Sequence, residues 1–286
     1  MTDLLGGSAD EHRPDLENRV AFQWREGRNT VAYFHAARRD ELVLRWLTEA
    51  VQRGGAPRAA LDVGCAYGNY TLMLNARLGR DQAIRLEGVD LHEPHLDYGR
   101  AFSEQVPGYA NCRFSRADVT DGLPFPDETF DAICLADVLE HLEEPVDVLR
   151  ELRRVTKPGG SIVVSTPLRT SIFKTGAAML NRLTRGRTYE RYYAGKDAHL
   201  DEHGHAVMEV PEGHDHISEM TLSELRAAAA AARLQVAEVE PMSVMSGSRW
   251  FDEHPFMLSG VMFVEALHGV LRRPSWAHSA VLRLTR

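Results

Sequence analysis

The 286-residue chain has little of several things, and each shortage excludes something. Its three cysteines, Cys65, Cys112 and Cys134, are odd in number and form no CxxC pair, so neither a disulfide framework nor a zinc knuckle is indicated. A reducing, cytoplasmic setting is the simplest expectation. No apolar run reaches the length of a bilayer crossing. Residues 1–15 are polar and acidic and offer no apolar core of the kind a secretory leader needs. Positive charge is also in deficit: the formal net charge is −8. The chain as a whole therefore offers no attractive field for nucleic acid or anionic lipid. The sequence contains no internal repeat.

What remains is an ordinary globular composition, long enough for one large α/β domain or a domain with a cap. Residues 1–17 read as a mobile tail, with Gly6, Gly7 and many charges. An N-terminal helical cap is expected over 18–57. It opens on an aromatic stretch with Phe22, Trp24, Tyr33 and Phe34, which could pack in the core or close over a ligand. A helix then follows over 40–53, with an apolar face of Leu42, Leu44, Leu47 and Val51, stopped by Gly54-Gly55. From 58 to 167, short apolar runs alternate with amphipathic segments. Strands are expected at 59–63, 85–90, 112–115, 131–135 and 161–165, and helices at 70–78, 94–106 and 144–156. Such alternation implies a mostly parallel central sheet with helices on both faces. Residues 168–216 show no clear period and are rich in Arg, Tyr and His, the pattern of a lid or substrate insertion. Residues 217–286 are expected to complete the sheet and form a tail. They open with a capping box at Thr221-Leu-Ser-Glu224, an alanine-rich helix to 234 and a strand at 235–239. Periodicity does not decide the structure of 250–286.

Leu61-Asp-Val-Gly-Cys-Ala-Tyr-Gly68 falls at a strand-to-helix junction. Glycines there allow a tight turn and close approach of a ligand to the backbone, and the helix start directs free N–H groups at an anion. Asp90 ends the next strand, 22 residues after Gly68, where a carboxylate can accept both hydroxyls of a ribose. The spacing is G-x-x-x-G rather than the G-x-G-x-x-G of a pyrophosphate site. Asp62 just before the first glycine would repel pyrophosphate and suit an ammonium. The segment resembles the first motif of the class I S-adenosylmethionine-dependent methyltransferases, with Ala66 where a middle glycine often stands. Asp90 matches their second-strand acid. Ala117-Asp118 with the following Leu-Pro-Phe-Pro-Asp-Glu-Thr-Phe-Asp resembles their adenine-contacting segment, and Lys157-Pro-Gly-Gly160 a later signature. The resemblance covers 58–167. It implies a Rossmann-like methyltransferase fold and S-adenosylmethionine held by Asp62, Gly64, Cys65, Gly68, Asp90, Leu91, Asp118, Val119 and Ala136.

Asp137-Val-Leu-Glu140-His141 follows the fourth strand. If it is helical, Asp137 and Glu140 share a face at i and i+3, with His141 beside them. Two carboxylates and an imidazole suit a divalent cation, Mg2+ or similar. The segment resembles the E-x-x-E-H metal motif of the ubiquinone-pathway O-methyltransferases. It also resembles the small-RNA 3′-end methyltransferases, whose later D-H-x-x-E-W-T is echoed by Asp215-His216-Ile-Ser-Glu-Met-Thr221. That resemblance makes Asp137, Glu140, His141 and His216 a metal set, with His141 and His216 catalytic. Without a metal, Glu140 would cap a helix and His141 would line the pocket as base or hydrogen-bond donor. His199, His203, His205 and His214 read as lid or surface residues. Arg182, Arg185, Arg187, Arg191 and Lys196 read as a solvated lid face or, more sharply, a clamp for an anionic substrate group. The expected activity is O-methylation of a small-molecule substrate, a catechol, sugar or other polyol. An RNA 3′-end 2′-O-methyltransferase, an N- or C-methyltransferase and a non-catalytic cofactor-binding protein are the alternatives. The acidic total argues against nucleic acid, and the sequence sets no oligomeric state.

Overall fold

The computed structural model describes residues 30–187, 198–200, 206–208, 217–245 and 249–286. The expected tail, Phe22, Trp24, Arg191, Lys196, His203, His205, His214 and His216 lie outside the described residues.

Helix α1 (Thr30–Arg53) starts ten residues earlier than expected, because nothing between 30 and 53 is Gly or Pro. Then come β1 (Ala59–Val63), α2 (Asn69–Arg77), β2 (Arg85–Asp90), α3 (Glu93–Gln105), β3 (Cys112–Arg116), β4 (Phe130–Ala136), α4 (Pro145–Val155) and β5 (Thr156–Pro167). β1 to β4 lie within a residue of their expected bounds at either end, and β5 is longer. Beyond them stand α5 (Ile172–Leu183), a hairpin of β6 (Ala198–Leu200) and β7 (Ala206–Met208), α6 (Leu222–Ala231), β8 (Gln235–Pro241), α7 (Arg249–Asp252), α8 (Pro255–Leu271) and β9 (Ser279–Thr285).

Seven strands form one sheet in the order β3-β2-β1-β4-β5-β9-β8. β1 to β5 are parallel, and β9 enters antiparallel between β5 and β8. The period-2 alternation of side chains divides the core in two. Ala60, Cys134, Val163 and Val281 face α1, α2 and α3. Leu61, Val63, Ile133, Leu135, Ile162 and Leu282 face α4 and α6. Because β1 is flanked by β2 and β4, the chain leaves it first to one side and later to the other. The carboxyl ends of β1 and β4 therefore open a crevice at the point of reversal.

Two undecided or irregular regions acquire structure. Residues 250–286 supply α8 and the seventh strand. Arg283 interrupts the apolar pattern of β9, yet it is buried against Glu49 and Glu238 at 3.0 Å each. The segment 168–216, expected to lack helix and strand period, contains α5 and the β6–β7 hairpin, a two-stranded sheet separate from the main one. Ser171 caps α5 by accepting from the Lys174 N–H, and of its twelve residues only Asn181 is buried. Its apolar residues face away from the core, so no core-facing stripe marked it.

At the amino edge, Asp131 is buried and accepts from the Ala59 N–H and Lys157 Nζ, both at 2.8 Å. Asp131→Ala strands a buried backbone donor and the Lys157 ammonium. It should cost about 1.5–3 kcal/mol in urea unfolding, the range for a charged hydrogen-bond partner; an unchanged midpoint would remove this role.

Candidate functional site

The β1–α2 turn sits at the crevice. Gly64 has φ +69° and Gly68 φ +84°, both in the left-handed region. A Cβ on Gly64 would lie 2.3 Å from Val138 Cγ2, and one on Gly68 2.4 Å from the Phe114 ring, so both positions need glycine for space as well as conformation. Ala66 adopts φ +46° in the place of the usual glycine. What holds it there is its N–H, which donates to Asp90 Oδ2 at 2.8 Å. The other Asp90 oxygen accepts from the His92 N–H at 2.8 Å. Asp90 thus ties the loop to the end of β2 and retains acceptor capacity toward the crevice.

Asp62 does something the sequence does not state. It is buried, and its Oδ2 accepts from the Thr71 N–H at 3.2 Å and the Thr71 hydroxyl at 3.0 Å. Thr71 is the third residue of α2, whose N-cap, Gly68, has no side chain to offer. The carboxylate therefore caps α2 from the neighbouring strand. Burial pushes its pKa up to about 7, against the lowering effect of the Thr71 bonds. Cys65 is buried beside it, and burial raises its thiol well above the ordinary range. Asp118 Oδ1 accepts from the Thr120 N–H at 2.8 Å and its hydroxyl at 2.6 Å. Val119 is buried, Leu91 is exposed and Ala136 is partly buried where β4 ends.

The segment 137–141 is not a helix presenting two carboxylates on one face. Asp137 has φ +55°, and only Leu139–His141 form a single 3₁₀ turn. Asp137 meets Ser165 Oγ at 3.0 Å and the Arg39 guanidinium of α1. Glu140, 1% exposed, accepts from Thr166 Oγ1 at 3.0 Å. Ser165 and Thr166 are successive residues of a strand and point to opposite faces of the sheet. The two carboxylates are therefore held on opposite sides, and they do not share a cation. Among the described residues no group of three His, Cys, Asp or Glu side chains is placed to hold a metal. The Glu140 carbonyl accepts from the Ile217 and Ser218 N–H groups, anchoring the chain where it returns from the insertion. His141 is partly buried.

Arg39, Asp40 and Tyr70 form a network that sequence reading missed. Arg39 Nε donates to Asp40 Oδ1 at 3.1 Å, and the Tyr70 hydroxyl donates to the same oxygen at 2.6 Å. The signal was an Arg-Asp pair inside a helix otherwise rich in buried residues; its partners, Asp137 and Tyr70, are distant in sequence.

The segment that builds this turn, residues 61–164, matches the family described as methyltransferase domain. Over that segment the chain is similar to class I S-adenosylmethionine-dependent methyltransferases, the ubiquinone and menaquinone methyltransferases among them. An uncharacterized methyltransferase of Schizosaccharomyces pombe is 33% identical, over 46% of this chain and 47% of its own. The demethylmenaquinone methyltransferase of Bacillus licheniformis is 31% identical over 42% and 50%. The ubiquinone/menaquinone biosynthesis C-methyltransferase of Azotobacter vinelandii is 33% identical over 42% and 47%. The chain thus spans about half the length of the curated relatives it matches. Two solved structures share the fold. The [4+2]-cyclase SpnF has a TM-score of 0.53 at 20% identity, covering 86% of this chain and 81% of that one. The geranyl diphosphate C-methyltransferase of Streptomyces coelicolor has 0.53 at 17%, covering 86% and 79%.

Two measurements probe the turn. Asp90→Ala should weaken S-adenosylmethionine binding by about 1–3 kcal/mol, and unchanged affinity by calorimetry would refute the assignment. For Asp62, the folded protein holds a proton up to about pH 7, whereas an exposed aspartate loses it near pH ~4. The folded state binds more protons across that interval, so this group makes stability decline as pH rises through it. Asp62→Asn should flatten that slope in denaturation series; an identical slope would show that burial of Asp62 does not set it.

Proposed function

We propose that the chain transfers a methyl group from S-adenosylmethionine to a small-molecule acceptor at the carboxyl edge of β4 and β5. The observation that carries this reading is the turn itself: two glycines whose Cβ atoms would collide with their surroundings, and Asp90 at the mouth with acceptor capacity left over. Bound there, the cofactor supplies an electrophilic methyl group on a good leaving group, so much of the protein's contribution is alignment. Asp90 accepts from the ribose hydroxyls, and the second oxygen of Asp118 accepts from the adenine amine. Asp62 is a positioning residue that fixes the start of α2. His141 takes a proton from the acceptor.

The sequence points to an oxygen acceptor, ionised by His141 as base or by a cation. The separated carboxylates of Asp137 and Glu140 do not fit that cation, and no step is assigned to it. Two of the similar proteins are named for demethylmenaquinone methylation and for C-methylation in quinone biosynthesis. A carbon acceptor on an electron-rich ring therefore fits better than a catechol or sugar oxygen. Deprotonating a ring hydroxyl raises the electron density of the neighbouring carbon, so the same base serves. An RNA acceptor is disfavoured by the charge of −8.

The test is methyl transfer from labelled cofactor to a demethylated quinol and to a catechol, with and without chelator. Label should enter ring carbon of the quinol and survive chelation. His141→Ala should lower kcat by roughly 10²-fold or more, in the usual range for a general base. Loss of activity on chelation would overturn the metal-free site, and label on oxygen alone the carbon reading; cofactor binding with no turnover on any acceptor would overturn the transferase reading.

A further inference from the structure

Exposed large apolar side chains are unevenly spread among the described residues. Six stand on α8, four on α5, and the others are Tyr67, Leu91 and Ile217. On α8, Phe256, Phe263, Leu267 and Val270 follow one another at helical spacing along one face; Phe256 is 91%, Val270 79% and Phe263 68% exposed. Its opposite face, with Val261, Glu265 and His268, is buried. A helix whose open face is this apolar is not made to meet water there. On α5, Ile172, Met179 and Leu183 are likewise exposed.

The two helices are joined. Phe173 of α5 packs edge-on against Trp276 at 5.9 Å between centroids, and His268 of α8 stacks on the same indole at 6.2 Å. Both belong to the side where the crevice opens. α5 leaves β5 at its carboxyl end. Glu265 of α8 meets His35 of α1 at 3.0 Å, one turn beyond the Arg39 that reaches Asp137 at the end of β4.

Charge around this surface runs against that of the whole chain. Residues 169–187 contain five cations and no acid; Arg169 and Lys174 pair with Glu224 and Glu219, and Arg182, Arg185 and Arg187 stand beyond them. Residues 254–273 contain one acid, the buried Glu265, with Asp252 and Glu253 just before them. Arg182, Arg185, Arg187, Arg272 and Arg273 are all exposed. Arg272 also pairs with Glu240 at 3.4 Å.

We propose that α5 and α8 dock the chain on an anionic lipid surface. Phenylalanine and aliphatic side chains on two adjoining helices would enter the headgroup boundary, and the arginines at their ends would meet lipid phosphates. A second copy of the chain fits less well, because a symmetric contact brings the same arginine cluster to the interface twice. None of the described helices is long and apolar enough to cross a membrane, so the attachment is to its surface. An acceptor dissolved in the bilayer would then face the crevice, a consequence that rests on the methyl-transfer reading, whereas the docking does not.

Flotation of the full chain with vesicles of phosphatidylcholine, alone or mixed with phosphatidylglycerol, tests the docking without turnover. The chain should float with the mixed vesicles and be released by rising salt. Phe256→Ser with Phe263→Ser, and separately Arg182→Glu with Arg185→Glu, should each reduce binding by about tenfold or more, with melting temperature and cofactor affinity unchanged. The arginine pair keeps the test informative should the phenylalanine pair fail to fold. Absence of flotation with the mixed vesicles, undiminished binding by the arginine variant, or a dimer that the phenylalanine variant converts to monomer with no vesicle binding would each overturn the proposal.

Discussion

The β1–α2 turn is held by a carboxylate from each side, and the rest of the site depends on this clasp. Beneath it, Asp62 bonds Thr71 and fixes the first turn of α2 on β1. Beside it, Asp90 bonds the Ala66 N–H and ties the loop to β2. The two acids have different surroundings and so different chemistry. Asp62 lines a small cavity with Leu47, Tyr70, Leu74, Leu86, Glu87 and Cys134, and burial makes its proton hard to lose. Asp90 lies at the mouth, with acceptor sites turned outward. The left-handed conformation of Ala66 costs about 1–2 kcal/mol relative to ordinary backbone. It is maintained because the alternative abandons a charge-assisted hydrogen bond to Asp90.

A second set of buried charges locks the outer elements onto this frame. Arg283 joins β9 to α1 and β8 through Glu49 and Glu238. Glu265 joins α8 to the 244–245 backbone and to His35. Arg39 joins α1 to the turn after β4. Each links elements far apart in the chain, and loss of its partners would leave the buried Arg283 or Glu265 without them. The position of α1 over the sheet is thereby fixed at Arg39, near its middle, and at Glu49, one turn before its end. Its first turns project past the carboxyl edge, where α8 meets them.

The shared fold does not itself settle the reaction. One structure with the same architecture is named as a cyclase and another as a C-methyltransferase. Chemistry resides in the groups at the edge. There the decisive fact is the alternation of Ser165 and Thr166 on β5, which sends Asp137 and Glu140 to opposite faces. A five-residue cluster that reads as one metal motif becomes two separate contacts: one with α1, the other with the chain returning from the insertion.

The sequence by itself determined the parallel core and the position of the glycine turn between β1 and α2. Strands β1 and β2 coincide with their expected limits, β1 as a short apolar run and β2 through Leu86 and Val89 between turn residues, and Gly64 and Gly68 are local requirements of the backbone. It did not reveal β9, because Arg283 looks like a solvent residue until Glu49 and Glu238 are brought to it. It did not reveal α5, whose apolar side chains face away from any core. Nor did it separate Asp137 from Glu140, since local spacing allows both a helix and a 3₁₀ turn. Only the tertiary structure decided these points. Periodicity and turn chemistry act within a few residues, whereas the fate of a buried charge depends on what the fold carries to it from fifty, a hundred or two hundred residues away.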